Sequence, residues 1–372
     1  MRKKLALLLA TVSTLTLLAS PFATASASPN VSDAEVAQQA GESYIAQRTA
    51  IFSQWAGASL ANPETLYDLQ NRVIAYQFTI IKDNQPIGSA VVGSSLYNHV
   101  VMQAGSSLPP ELPSSSEVAL AAQKTTGVQA DPNEIRLERL LYLGYSTIEA
   151  IYTLQTGSIA FDLGRRQAVQ VSELKSQMAS PEQYAATRAS AASTLTAYNN
   201  LPVPIQNDGD PSITSPYNQN NCGPTAGAMI DEYYKQSRSY SAFDDWWTDE
   251  KYLYIDMYTN QNITGGTWPN DWGPGFVAYA SSKGYSFGTF WVQAPMYGDY
   301  SAIMSYIDAQ EPIGLLFWST GDKYSWHYVA VRGYWSDDSG EDLIINDGWG
   351  STDIVSWDVY YGAVSLHFLY PN

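Results

Sequence analysis

A chain of 372 residues with a single cysteine closes no disulfide within itself, so its fold rests on buried side chains and hydrogen bonds alone. A hydrophobic content of 45% is enough to build such a core. The one thiol, Cys222, is then a buried small residue, half of an intermolecular bridge, or a reactive group. Its neighbours must decide between these.

Those neighbours read Gln219-Asn220-Asn221-Cys222-Gly223-Pro224-Thr225, a polar setting for a core thiol. Ala226, Met229, Ile230 and Tyr233 follow at i, i+3, i+4 and i+7, which predicts a helix. Pro224 suits its first turn, where a missing N–H costs nothing. Cys222 therefore stands at a helix N-terminus, where orphan N–H groups and the helix dipole favour a thiolate. Gly223 lets the backbone pass close to whatever meets the sulfur. The polar run favours a nucleophile over a buried thiol.

A thiolate needs a base. After residue 200 the chain has two histidines, His327 and His367. His327 opens an apolar strand pattern, Trp326-His327-Tyr328-Val329-Ala330-Val331, and is the candidate base. His367 lies inside the strand pattern Ser365-Leu366-His367-Phe368. His99, among Tyr97, Asn98 and Val100, reads as a surface or strand-edge residue. A third group should orient the imidazole, and Ile344-Ile345-Asn346-Asp347-Gly348-Trp349-Gly350 offers Asn346 and Asp347. The competing reading of that stretch is an ordinary Asn-Asp-Gly turn.

The two ends of the chain differ in charge. Residues 201–372 hold 6 Lys/Arg against 21 Asp/Glu, whereas residues 1–200 hold 13 against 15. So acidic a C-terminal half argues against a nucleic-acid partner, whose phosphates need neutralising. Arg2, Lys3 and Lys4, the apolar run from Leu5 to Ala19 and the small residues Ala23-Thr24-Ala25-Ser26-Ala27 read as a signal peptide over 1–27. No later stretch is apolar for long enough to span a bilayer, so no membrane partner is expected after signal removal.

Elements follow the apolar patterns. Residues 31–60 read as one helix, and 70–105 and 139–171 as strands. Helices are expected from Cys222, over 273–283 and over 300–309. Strands follow around 313, 327, 342 and 354. Helices first and strands later give an α+β order. An Ala/Ser-rich stretch passing into Asn- and Pro-rich sequence over 176–216 reads as a linker, with a domain boundary near 200. Two acidic runs, 244–250 and 337–342, read as solvated turns, since neither has calcium-loop spacing. The segment Thr264-Gly265-Gly266-Thr267-Trp268-Pro269-Asn270-Asp271-Trp272 has no phosphate-loop Lys; its Trp268 and Trp272 are expected to line a substrate cleft or cap a helix.

The helix-starting Cys222-Gly223-Pro224-Thr225, the strand from His327 and the later Ile345-Asn346-Asp347-Gly348-Trp349-Gly350 resemble papain-type cysteine peptidases related to the bacteriocin double-glycine leader peptidases, the peptidase family thirty-nine-like group. The resemblance covers about residues 201–365. It implies a papain-like fold, with a Cys-bearing helix packed on an antiparallel sheet that carries His and Asp. It implies Cys222 as nucleophile, His327 as base and Asp347 as orienter; sliding the comparison to papain's Asn-Ser-Trp-Gly would give Asn346 that role instead. The family places an oxyanion-hole Gln six residues before the Cys, where this chain has Pro216. Gln219 and Asn218 are the nearest amides, and the Cys222 N–H is a further donor.

The whole reads as a signal peptide (1–27), a separate α+β pro-region or accessory domain (28–200) and a catalytic domain (201–372). The expectation is an extracellular cysteine peptidase, free or at the cell wall, made as a zymogen. It would act on peptide or protein substrates without a cofactor, with its own pro-region as partner. Two alternatives share the sequence: another papain-fold acyl transferase or peptidoglycan amidase, and an inactive papain-like binding module.

Overall fold

The computed structural model describes residues 31–372 apart from 50–51, 128, 145–146, 165, 177, 188–194, 199–219, 260–264, 296–299, 319–325, 338–339 and 358–362. The expected signal peptide, 1–27, and the expected boundary near 200 both fall outside the described residues.

Helices are α1 Asp33–Gln47, α2 Ser115–Thr126, α3 Pro181–Thr187, α4 Cys222–Arg238, α5 Trp246–Asp256, α6 Pro269–Ser282 and α7 Ser301–Asp308. Strands of the N-terminal half are β1 Ser59–Tyr67, β2 Val73–Lys82, β3 Gln85–Gly93, β4 Val101–Gly105, β5 Arg136–Gly144, β6 Thr147–Leu154, β7 Gly157–Asp162 and β8 Gln167–Gln170. Those of the C-terminal half are β9 Leu195–Tyr198, β10 Phe287–Pro295, β11 Ile313–Phe317, β12 His327–Asp337, β13 Gly340–Asn346, β14 Thr352–Ser356 and β15 Ala363–Pro371. This is the expected mixture of helices and a largely antiparallel sheet. Among the described residues no helix is long and apolar enough to cross a membrane.

One sheet joins the strands in the order β10-β15-β11-β12-β13-β14-β4-β3-β2-β1-β5-β6-β7-β8, with β9 pairing β12. Strands from before and after residue 200 thus share one sheet, joined at the pairs β4–β14 and β9–β12. Gly105 of β4 sits opposite Asp353 of β14, and a Cβ on it would come within 1.9 Å of Asp353 Oδ1. Only a glycine lets the two strands approach so closely at that point.

Side-chain alternation along β12 sorts the core into two layers. Tyr328 and Ala330 face α4, where they meet Ala226, Met229 and Ile230, with Leu253 and Met257 from α5 and Phe276 from α6. Val329 and Val331 face the other way, into a layer with Ile303 and Ile307 of α7. The apolar spacing of α4 therefore does what the sequence requires: it lays the helix on the sheet and brings its N-terminus to the end of β12. Fully burying one such large side chain contributes about 1.5–3 kcal/mol.

Three expectations need correction. The helix expected over 31–60 ends at Gln47. Phe52 and Trp55 are buried as expected, but on a short 3-10 turn with stacked rings, because an i, i+3 pair fits that turn as well as an α-helix. The acidic run 244–250 is no solvated turn: it enters α5, and Asp249 and Glu250 are buried. The run 337–342 is also drawn inside, with Asp337 and Asp342 on the buried cation Arg48 at 3.3 and 3.1 Å.

Candidate active site

Cys222 is the first residue of α4 and is partly exposed. The Thr225 N–H donates to the Asn221 carbonyl at 2.9 Å and opens the helix ladder. The Trp272 indole N–H donates to the Gly223 carbonyl at 2.9 Å. A Cβ on Gly223 would lie 2.7 Å from Thr267 Oγ1, so the turn behind the thiol admits only glycine without rearrangement. The Cys222 sulfur lies 3.9 Å from the carbonyl oxygen of Trp326, the residue before His327.

His327 opens β12 and is 4% exposed. Its Nε2 is 2.6 Å from the backbone carbonyl oxygen of Asp347. A carbonyl only accepts, so Nε2 carries the proton of that contact. In the neutral ring the basic lone pair then belongs to Nδ1. One face of the imidazole stacks on Trp349, with centroids 3.8 Å apart and planes inclined by 16°.

Asp347 is buried and shapes the turn that makes this contact. Its Oδ1 accepts from the N–H groups of Trp349 (2.8 Å) and Ser351 (2.9 Å), while its own N–H donates to Ser351 O at 3.1 Å. Gly348 and Gly350 take the positive φ angles that the turn needs. The same carboxylate thus sets the position of the Trp349 indole and of the carbonyl beneath the imidazole. Asn346 Oδ1 accepts from the Thr352 hydroxyl at 2.8 Å across the β13–β14 ladder.

Gln219 and Asn218, the oxyanion candidates, lie outside the described residues. Trp268 is the N-cap of α6, and its ring meets that of Trp326 edge to face at 6.4 Å. Trp326 is 46% exposed beside His327, and Trp268 and Trp318 pack against it. Trp272, expected at a cleft surface, is instead fully buried, because its indole N–H is spent on the Gly223 carbonyl from below. His367 is buried against Trp272 and Tyr328, and burial pushes its pKa down to about 3. It is a neutral core residue rather than a rival base. His99 pairs with Asp33 at 2.8 Å, away from this constellation.

Sequence reasoning missed Trp349, Trp326 and the acids of α5. The Trp-Gly dipeptide after Asp347 was a visible signal for the first, whereas nothing in the local pattern pointed to the last. Glu250 Oε1 accepts from the Asn221 amide and lies 2.8 Å from the Thr225 hydroxyl. Its neighbour Asp249 accepts from the Tyr279 hydroxyl and from the Asp244 N–H. Burial raises Asp249 to about 6. Asp231 of α4 is pushed well above the carboxylate range, first by burial and then by the charge of Asp249. Among the described residues no group of His, Cys, Asp and Glu is arranged to hold a metal ion.

A family model described as "Peptidase_C39 like family" matches residues 172–364, just over half of the chain. No curated protein matches. The matched span contains the Cys222 helix, the His327 strand and the Asp347 turn.

Proposed function

The chain belongs to the Peptidase_C39 like family, which makes it peptidase-like at the family level, and on that premise we propose that it hydrolyses peptide bonds with Cys222 as nucleophile and His327 as base. The supporting observation is the double constraint on His327: Nε2 on the Asp347 carbonyl at 2.6 Å, and the adjoining Trp326 carbonyl 3.9 Å from the Cys222 sulfur. With Nε2–H donating, Nδ1 is the nitrogen left to take the thiol proton. The thiolate, at a helix N-terminus, attacks the amide carbon and forms a C–S bond. His327 returns its proton to the leaving amine as the C–N bond breaks. Water, deprotonated by the same nitrogen, then hydrolyses the thioester.

Asp347 acts here as orienter through its backbone carbonyl, while its carboxylate holds the turn that presents that carbonyl. The Cys222 N–H, with Gln219 or Asn218, serves as oxyanion donor. Exposed Trp326, backed by Trp268, forms the wall along which a substrate chain lies.

The same proposal includes export by the segment 1–27 and cleavage within 176–216 to release the catalytic half from its pro-region. N-terminal sequencing of active secreted protein is expected to find a start in that window; an active form that keeps its N-terminal half would make that half an accessory domain. For the chemistry, a mixed peptide library incubated with wild type and with Cys222→Ala is read by mass spectrometry. New peptide termini are expected with wild type alone. Termini that persist with Cys222→Ala, or none with the wild type, would contradict the proposal.

A further inference from the structure

Asn221 is the N-cap residue of α4, yet its side chain makes no cap hydrogen bond. An N-cap Asn ordinarily folds its side-chain oxygen over the N–H groups of the first turn. Here the side chain is fully buried and its amide donates instead to Glu250 of α5. Glu250 is itself 2% exposed. Thr225, one turn into α4, completes the link. Its hydroxyl lies 2.9 Å from the Asn221 carbonyl and 2.8 Å from Glu250 Oε1. Its one hydrogen is shared between these two acceptors, so the hydroxyl sits between the cap carbonyl and the carboxylate and donates to either.

This network acts on one peptide plane. The Asn221 carbonyl also accepts the Thr225 N–H at 2.9 Å, so it points down the helix. A trans peptide is planar, and its N–H points opposite to its C=O. The N–H of that same peptide is the one at Cys222, and it is therefore aimed out of the helix N-terminus, at the end that carries the thiol. Drawing the Asn221 side chain down to α5 also keeps its carbonyl oxygen from folding over the first-turn N–H groups.

We infer that Glu250 is a positioning residue for the oxyanion donor: through Asn221 and Thr225 it fixes the peptide that aims the Cys222 N–H at the developing negative charge. This rests on the reading of Cys222 as nucleophile. Glu250 does not touch the reacting atoms, and its effect is on the stabilisation of an oxyanion rather than on the thiolate. The α5 backbone that carries it is held from behind, where Asp249 accepts from Tyr279 of α6.

Two small reagents separate these effects without a known substrate. Iodoacetamide alkylates a thiolate by displacement and forms no oxyanion. p-Nitrophenyl acetate acylates it through a tetrahedral oxyanion, then releases p-nitrophenolate. In the full-length protein, Glu250→Ala is expected to slow acylation ~10-fold or more while alkylation stays within about 2-fold of wild type. Glu250→Gln keeps an acceptor for the Asn221 amide and is expected to restore acylation. Asn221→Ala, which removes the same link from the other side, should reproduce the split, and it decides the matter where Glu250→Ala does not fold. Unchanged acylation in a folded Glu250→Ala or Asn221→Ala protein would overturn the inference. So would a parallel fall in both reactions, or a Glu250→Gln protein as slow as Glu250→Ala. A wild-type protein that reacts with neither reagent would instead refute the assignment of Cys222 as nucleophile.

Discussion

The acidic runs 244–250 and 337–342 look alike in sequence, and each sends two carboxylates into the core, Asp249 and Glu250 from the first and Asp337 and Asp342 from the second, with different partners. Asp337 and Asp342 share the guanidinium of Arg48, which comes from the end of α1. The Tyr44 hydroxyl donates to Asp342 at 2.7 Å. Arg48 is fully buried, and its guanidinium lies 3.4 Å from the Tyr44 ring centroid and 4.4 Å from that of Trp335. Burial pushes Asp342 up to about 6, against the opposing pull of Arg48. Asp249 and Glu250, by contrast, accept from hydroxyl, amide and backbone N–H donors. The first cluster ties the N-terminal segment to the β12–β13 hairpin. The second braces the helix that carries the thiol.

Breaking the cationic cluster should have the largest effect. Arg48→Met leaves two carboxylates buried without their cation and is expected to cost about 3–5 kcal/mol, read as a lowered urea midpoint. A loss under 1 kcal/mol would mean that the clasp holds nothing.

The α5 cluster should show its effect in the pH dependence of stability. The folded-state pKa of Asp249, about 6, lies above its unfolded value, so the folded state binds the extra proton. Its stabilising contribution is present below pH ~4 and is lost as pH rises through ~6. Asp249→Asn keeps an acceptor for Tyr279 and Asp244 and removes the charge. It should therefore flatten the fall of stability with rising pH, by on the order of 2–3 kcal/mol above pH ~6. Parallel pH profiles for variant and wild type would contradict the raised pKa of Asp249. The smallest change is Asp337→Asn. It keeps an acceptor for Arg48 and the Trp335 indole, and leaves Asp342 as counter-charge, so a loss of ~1 kcal/mol is expected in the same titration. A loss as large as that of Arg48→Met would make Asp337 the principal partner.

The same contrast explains what was legible in the sequence. The i, i+3, i+4, i+7 spacing from Ala226 gave α4, because one helix face meets one sheet face and local periodicity records it. The strands expected over 70–105 include the β2–β3 hairpin, which Asp83 and Asn84 close, both at positive φ. The strand that His327 opens begins at that residue. The acidic runs were misread because local spacing reports charge density but not a partner: Arg48 lies nearly three hundred positions from Asp342. The resemblance implies Asp347 as orienter, and the Asp347 atom beside His327 Nε2 is its backbone carbonyl oxygen. Residue identity does not encode where a backbone oxygen will point. Trp272, expected to line a cleft or cap a helix, is buried with its indole N–H on the Gly223 carbonyl, a partner that local sequence does not reveal.

The account depends most on Cys222 and His327 acting as a pair. The most direct measurement is the rate of iodoacetamide alkylation of Cys222 against pH, in wild type and in His327→Ala. The paired account predicts wild-type labelling well below the free-thiol pKa of about 8.5, and a midpoint displaced up toward that value in His327→Ala. A wild-type profile that tracks a free thiol, labelling that requires denaturant, or a His327→Ala profile identical to wild type would contradict it.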